Sequence, residues 1–107
     1  MKAGTLRHLL TIEYQRSDQG ETGEVHADPK WYRFAKVWGR VAPLTGRELF
    51  NAQQVQPDVN TKIELRYLSG LTSAMRVNYD GRIIHIASVL DIEERHAEMH
   101  LMCIERK

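Results

Sequence analysis

His96-Ala97-Glu98-Met99-His100 is the stretch of this chain whose residue types come closest to chemistry. Two histidines and a carboxylate can hold a divalent metal when they meet on one side of the ion. The zincin arrangement, however, needs its Glu directly after the first His and needs a helix beneath both. On a strand, His96, Glu98 and His100 project from one face in a line too long to converge on one ion, so the expectation is a solvated polar face and no metal. Cys103 has only His100 nearby in sequence, and no Ser, His and Asp grouping stands out, so the thiol is expected to be buried and inert. Gly20, Gly23 and Gly46 form no phosphate-binding pattern. No catalytic residue is assigned, no cofactor is implied, and the expectation is a protein that is not an enzyme.

The elements around these residues are short and mostly of period two. Leu6, His8, Leu10, Ile12 and Tyr14 alternate with Arg7, Leu9, Thr11, Glu13 and Gln15 to give a first strand. Ser17 to Lys30 collects Asp18, Gly20, Glu21, Gly23, Glu24, Asp28 and Pro29 as a long polar loop. Trp31 to Ala42 is a second strand, with Val37, Gly39 and Val41 on one face and Lys36, Trp38 and Arg40 on the other. Gly39 implies a bulge or a close backbone approach. Val59 to Tyr67 makes a third strand and Met75 to Tyr79 a fourth. Asp80-Gly81 then reads as a type I′ hairpin turn leading into a fifth strand, Ile83 to Leu90. Asp91 to His96 turns the chain into a sixth strand, Ala97 to Ile104.

Between the second and third strands stands one helix signal, Leu44 to Phe50, flanked by Pro43 and Pro57. Thr45 and Glu48 have the spacing of a capping box, and Leu44 can staple onto Leu49. Pro57 ends the helix. At about 100° per residue, Leu49, Ala52 and Val55 share one side, while Phe50 projects among Arg47, Gln53 and Gln54 with no place in the chain's own core. The fold expected is mainly β, a six-stranded barrel with a short helical insert between strands 2 and 3, and residues 1–107 form one domain.

Composition narrows the function classes. A chain of 107 residues buries roughly two-thirds of its unfolded surface, enough for a single core. Its formal net charge of +1 lacks the basic footprint of an autonomous duplex-DNA binder. One cysteine allows no intrachain disulfide, which fits a reducing compartment. Charges near the start interrupt any signal-peptide core, and no apolar run approaches the roughly 20 residues of a membrane span, so no membrane association is expected. Trp38 between Lys36 and Arg40 can stack on a base or a partner. Since Trp is usually well buried, it is expected to lie under neighbours of its own barrel.

Read from end to end, the order of motifs resembles the head-tail adaptor family of long-tailed bacteriophages, also called head-closure, stopper or head-tail joining proteins. The resemblance is carried by Gly4-Thr5-Leu6-Arg7-His8 and by Val37-Trp38-Gly39-Arg40-Val41-Ala42-Pro43-Leu44-Thr45-Gly46-Arg47-Glu48. It continues through Thr61-Lys62-Ile63-Glu64-Leu65-Arg66-Tyr67, Met75-Arg76-Val77-Asn78-Tyr79-Asp80-Gly81-Arg82 and Leu101-Met102-Cys103-Ile104-Glu105. Order and spacing carry it rather than any one piece, and Gly39 stands where many relatives are expected to have Ala. The resemblance implies a small barrel, made in the bacterial host cytoplasm, that assembles as a homo-oligomeric ring at the virion neck. That ring would meet portal-connector proteins on one side and a tail-completion or tail-terminator protein on the other, with double-stranded DNA passing through without tight specific binding. It further implies that the insert, Pro43 to Asp58, faces or plugs the channel, with Arg47, Phe50, Gln53 and Gln54 as ring or channel contacts.

The alternative is an OB-like barrel for single-stranded nucleic acid, with Trp31, Trp38, Tyr32 and Arg40 as stacking platform and clamp. An OB barrel has five strands with its helix usually between the third and fourth, whereas this helix precedes the third. The order favours the adaptor.

Overall fold

A computed structural model describes residues 6–16, 30–94 and 96–106. The polar loop expected from Ser17 falls outside the described residues except for Lys30, as do Gly4 and Thr5. Alternation of apolar and polar residues puts every second side chain inward along each strand. The strands are β1 (His8–Arg16), β2 (Lys30–Pro43), β3 (Thr61–Arg66), β4 (Arg76–Tyr79), β5 (Arg82–Asp91) and β6 (Glu98–Glu105), with helix α1 (Gly46–Val55) between β2 and β3. They close into one antiparallel barrel in the order β1-β2-β3-β6-β5-β4, and β4 returns to β1 through Ile12 opposite Val77. Closure covers most strand edges, but β2 meets β3 only through Gly39 to Pro43, so its first half is paired with β1 alone among the described residues.

The inward residues Leu10, Ile12, Ile63, Leu65, Val77, Ile84, Ile86, Met99, Leu101 and Cys103 form the core. A six-strand barrel must bend sharply, and two bulges supply the bend. One lies between β1 and β2, where the register steps at Ile12/Glu13 and Phe34 is the extra residue. The other lies between β5 and β6 at Ile86/Ser88. The sequence admitted a bulge or a close approach at Gly39, and the structure shows the approach. A Cβ there would sit 2.7 Å from Leu10 Cδ1 and 3.0 Å from the Glu64 carbonyl oxygen. The Asp80-Gly81 turn has positive φ at both residues, +50° and +86°, as a type I′ hairpin requires.

Strand ends differ from the sequence expectation by a residue or two. β1 begins at His8 rather than Leu6, and β3 at Thr61 rather than Val59. The reason at β3 is Asn60, which the sequence reading passed over. Its backbone N–H donates to the Cys103 carbonyl at 3.0 Å and its carbonyl accepts from Leu44 N–H at 3.0 Å. Its side-chain amide donates to the Glu105 carbonyl at 2.8 Å and accepts from the Glu105 N–H at 2.9 Å. Asn60 thereby clasps the stem of the insert to β6, with Leu44 and Val59 buried beside it.

Candidate functional site

The insert is a helix that stands off the barrel. No residue of α1 is buried. Leu49 and Ala52 are half-buried, but Val55 is 84% exposed and does not join them in a packed apolar side as the helical spacing implied. Helix and barrel are instead separated by a groove of about 510 Å³ lined by Ala52, Val55, Val59, Ser88, Leu90 and Met102 among others.

The expected capping box does not form either. Thr45 is extended and its side chain makes no capping hydrogen bond. Gly46, at φ +58°, turns the chain between Thr45 and the first helical turn. Glu48 reaches away from Thr45 to Lys62 Nζ, at 2.7 Å.

Lys62 also pairs with Glu64 at 3.3 Å, and Glu64 with Arg40 at 3.5 Å, so a charge relay runs from β2 across β3 to the helix. Burial works against the charge on Lys62, but its hydrogen bonds to Glu48 and Glu64 prevail and hold its pKa above the ordinary lysine value. A second tether is Gln53 Nε2, which donates to the Val59 carbonyl at 3.2 Å. Gln53 thus spends one of its amide groups inside its own chain. Arg47 and Gln54 are exposed, and Phe50 is 64% exposed.

On the β2 wall the expectation for Trp38 is overturned. It is 56% exposed and lies opposite Leu9 of β1, itself exposed. The cause is strand parity: Val37 points inward against the core, so Trp38 points out. The other members of the OB-like clamp do not gather around it. Trp31 lies seven positions away, about 23 Å along an extended strand. Its ring is covered by the Arg76 guanidinium at 4.2 Å and has His85 at its edge. Tyr32 packs on Tyr14, and Arg40 is engaged by Glu64.

The His96, Glu98 and His100 row is broken as well. His96 lies before β6 at φ +55°, pairs with Asp91 at 2.8 Å and packs edge-on against Tyr67. Glu98 and His100 remain together at 3.1 Å. They are joined by Glu64 of β3, the cross-strand partner of His100, with the candidate ligand atoms all within 4.8 Å of one another. That grouping depends on strand register, which no local sequence pattern encodes. Its negative charge is already answered within the chain, because Arg40 and Lys62 both sit on Glu64, and we assign no metal to it.

Cys103 is fully buried, and burial pushes its thiol up to about 12, far from a reactive thiolate. Among the described residues no buried side-chain nitrogen or oxygen lacks a hydrogen-bond partner, and no helix is long and apolar enough to cross a membrane. The described surface carries an offset helix with Phe50 exposed on it, an apolar groove beneath that helix, and an exposed Trp on another wall.

A family model described as phage head completion protein matches residues 1–106. No curated protein sequence matches the chain. Among solved structures, protein SF1141 from Shigella flexneri 2a superposes with a TM-score of 0.79 at 21% identity, covering 98% of this chain and 96% of that one. A chain of the virion of a native gene transfer agent particle superposes with a TM-score of 0.59 at 16% identity, covering 94% and 96%.

Proposed function

The chain belongs to the phage head completion protein family, a family of structural virion proteins, and from that premise we propose that it forms a ring at the neck of the virion, where α1 lines or closes the DNA channel. The observation that carries this reading is the insert. A ten-residue helix buries none of its residues, is held to the barrel by Lys62 and Gln53, and carries Phe50 outward. An isolated helix of this length is marginal in water, so a helix kept off its own core is one with contacts to make elsewhere. In the ring, Phe50, Arg47 and Gln54 meet neighbouring copies or face the channel, and the free side of Gln53 joins them. The partners are a portal-connector protein above and a tail-completion or tail-terminator protein below. Duplex DNA passes without being gripped, since tight binding would oppose its ejection.

Phe50→Glu tests the reading, because Phe50 lies outside the core. The variant is expected to melt within about 0.5 kcal/mol of the parent, as surface substitutions do, and to fail in joining filled heads to tails in vitro. A variant that unfolds would make Phe50 a packing residue. One that folds and joins normally would remove α1 from the mechanism.

A further inference from the structure

Strand β2 outruns its neighbour β3. Its ladder to β3 runs from Pro43 only to Gly39, while its ladder to β1 continues to Lys30. Two hydrogen bonds fix which way its main chain faces. Leu44 N–H donates to the Asn60 carbonyl on the β3 side at 3.0 Å, and Val41 N–H donates to His8 Nδ1 on the β1 side at 3.1 Å. Main-chain groups of successive strand residues point to opposite neighbours, so the even-numbered residues from Lys36 to Ala42 face the β3 side. Lys36 lies past the last ladder pair, Gly39 with Leu65, and turns its N–H and carbonyl to a side where β2 has no strand beside it among the described residues.

A recess of about 550 Å³ opens where the two strands part. Leu6, Val37, Trp38, Tyr67 and Leu68 give it apolar walls, and Arg66 stands beside them. Arg66 and Lys36 are exposed and have no ion-pair partner among the described residues. At the far end of the open stretch β2 bulges at Phe34, whose ring packs over Gly70, so the β3–β4 loop bounds the edge there. Bulges and lysines keep edge strands from pairing indiscriminately, and here they confine the open stretch to residues 35–38.

We propose that this edge receives a short extended segment of another protein as an added strand, apolar on its inner side and acidic on its outer side. Such a strand supplies the main-chain partners that Lys36 lacks, with backbone hydrogen bonds giving affinity and side-chain pockets giving selectivity. Its alternate residues point to opposite faces. Those on the inner face meet Val37 and Leu68, which pack against the barrel core. Those on the outer face meet Lys36, Trp38 and Arg66, where carboxylates find two unpaired cations. The pairing is independent of whether copies of the chain form a ring.

The probe is a blocked peptide of about eight residues alternating valine and glutamate, the length of an ordinary strand. It is titrated into ¹⁵N-labelled protein up to about 1 mM, a concentration that detects even weak pairing. The Lys36 backbone amide and the Trp38 indole should shift, while the Trp31 indole, covered by Arg76, should stay. A peptide with proline at its centre, which lacks a main-chain donor, and one with lysine for every glutamate should each bind at least about tenfold more weakly. The double variant Lys36→Glu/Arg66→Glu, changed at two exposed positions, should melt like the parent and prefer the lysine peptide.

No shift at Lys36 by the end of the titration overturns the proposal. So does a proline peptide that binds as well as its parent, since the recess would then take side chains without a strand, or a charge-reversed variant that keeps the parent's preference. Hydrogen exchange of the Lys36 amide without peptide tests the rival occupants. Protection at every dilution would mean that the chain covers its own edge, and protection lost on dilution would mean that a second copy does; either result overturns the added strand. A single-stranded oligothymidylate that shifts the same resonances at lower concentration than the peptide would give the recess to nucleic acid instead.

Discussion

At the residue scale, Cys103 shows how position in a small barrel decides chemistry. It is one of the inward residues of β6, its Sγ within 3.4 Å of the Leu101 carbonyl oxygen, and burial raises its pKa from 9.0 to about 12. The thiol should be silent to a disulfide reagent in the folded protein at pH 8 and react once per chain after denaturation. The same shift links to stability. The folded pKa lies above the unfolded one, so the contribution is complete below about pH 9 and is lost as pH rises from about 9 to 12, where only the unfolded chain ionises. The slope belonging to this group is at most about 1.4 kcal/mol per pH unit. Alkaline denaturation of Cys103→Ala, compared with the parent, should lack that part of the slope although the variant starts less stable; identical slopes would mean the thiol is not held protonated by the fold. Gly39 makes a related point. Many relatives are expected to have Ala at this position, yet this barrel brings Leu10 and the Glu64 carbonyl so close that a Cβ has no room unless Leu10 moves.

At the element scale, strands and turns were legible because their information is local. Alternation identified Leu10 and Ile12 as inward, and Asp80-Gly81 needed only its own two residues to specify a turn. The cap of α1 was misread although its pattern is also local, because one distant and one adjacent residue work against it: Lys62 draws Glu48 away, and Gly46, next to Thr45, alters the path of the chain. Trp38 was misplaced by preferring the habit of its residue type over the parity of its strand. The clasp by Asn60 and the meeting of Glu64 with His100 depend on the register of β3 against β6, which alternation does not set. A consequence is testable by chemical denaturation. Thr45→Ala should change stability by less than about 0.5 kcal/mol, since no capping bond is lost, whereas a lost cap typically costs about 1 kcal/mol. A double-mutant cycle of Glu48→Gln and Lys62→Met should instead show a favourable coupling within the range up to about 1 kcal/mol of partly exposed ion pairs. A full capping penalty at Thr45 with no coupling between Glu48 and Lys62 would restore the capping box.

At the scale of the whole molecule, closure of the barrel decides how the protein can meet others. Closure pairs most strand edges, so recognition falls largely to side chains on the walls and to the helix, although β2 from Lys30 to Trp38 has a ladder partner on one side only among the described residues. Those walls carry little charge to spare. The net charge is +1, and Arg40, Lys62, Arg76 and Arg82 are already engaged by Glu64, Glu48, Glu13 and Glu105. Affinity for nucleic acid comes largely from cations that release counterions from phosphates, and cations held by carboxylates contribute little to that term. Lys30, Arg33, Lys36, Arg47 and Arg66, which have no ion pair among the described residues, can neutralise at most about five phosphates, so the logarithm of the binding constant should fall with that of salt at a slope no steeper than about −4.5, and the isolated protein should bind a short duplex or single strand no more tightly than about 10 μM at physiological salt. Fluorescence anisotropy across a salt series measures both. Submicromolar binding to a single strand, abolished by Trp38→Ala, would make the exposed Trp a base-stacking platform and return the OB-like reading. Weak, shallow-sloped binding is what the proposed neck ring requires, because many copies would surround one duplex and even modest affinity at each would add up to a brake on its passage.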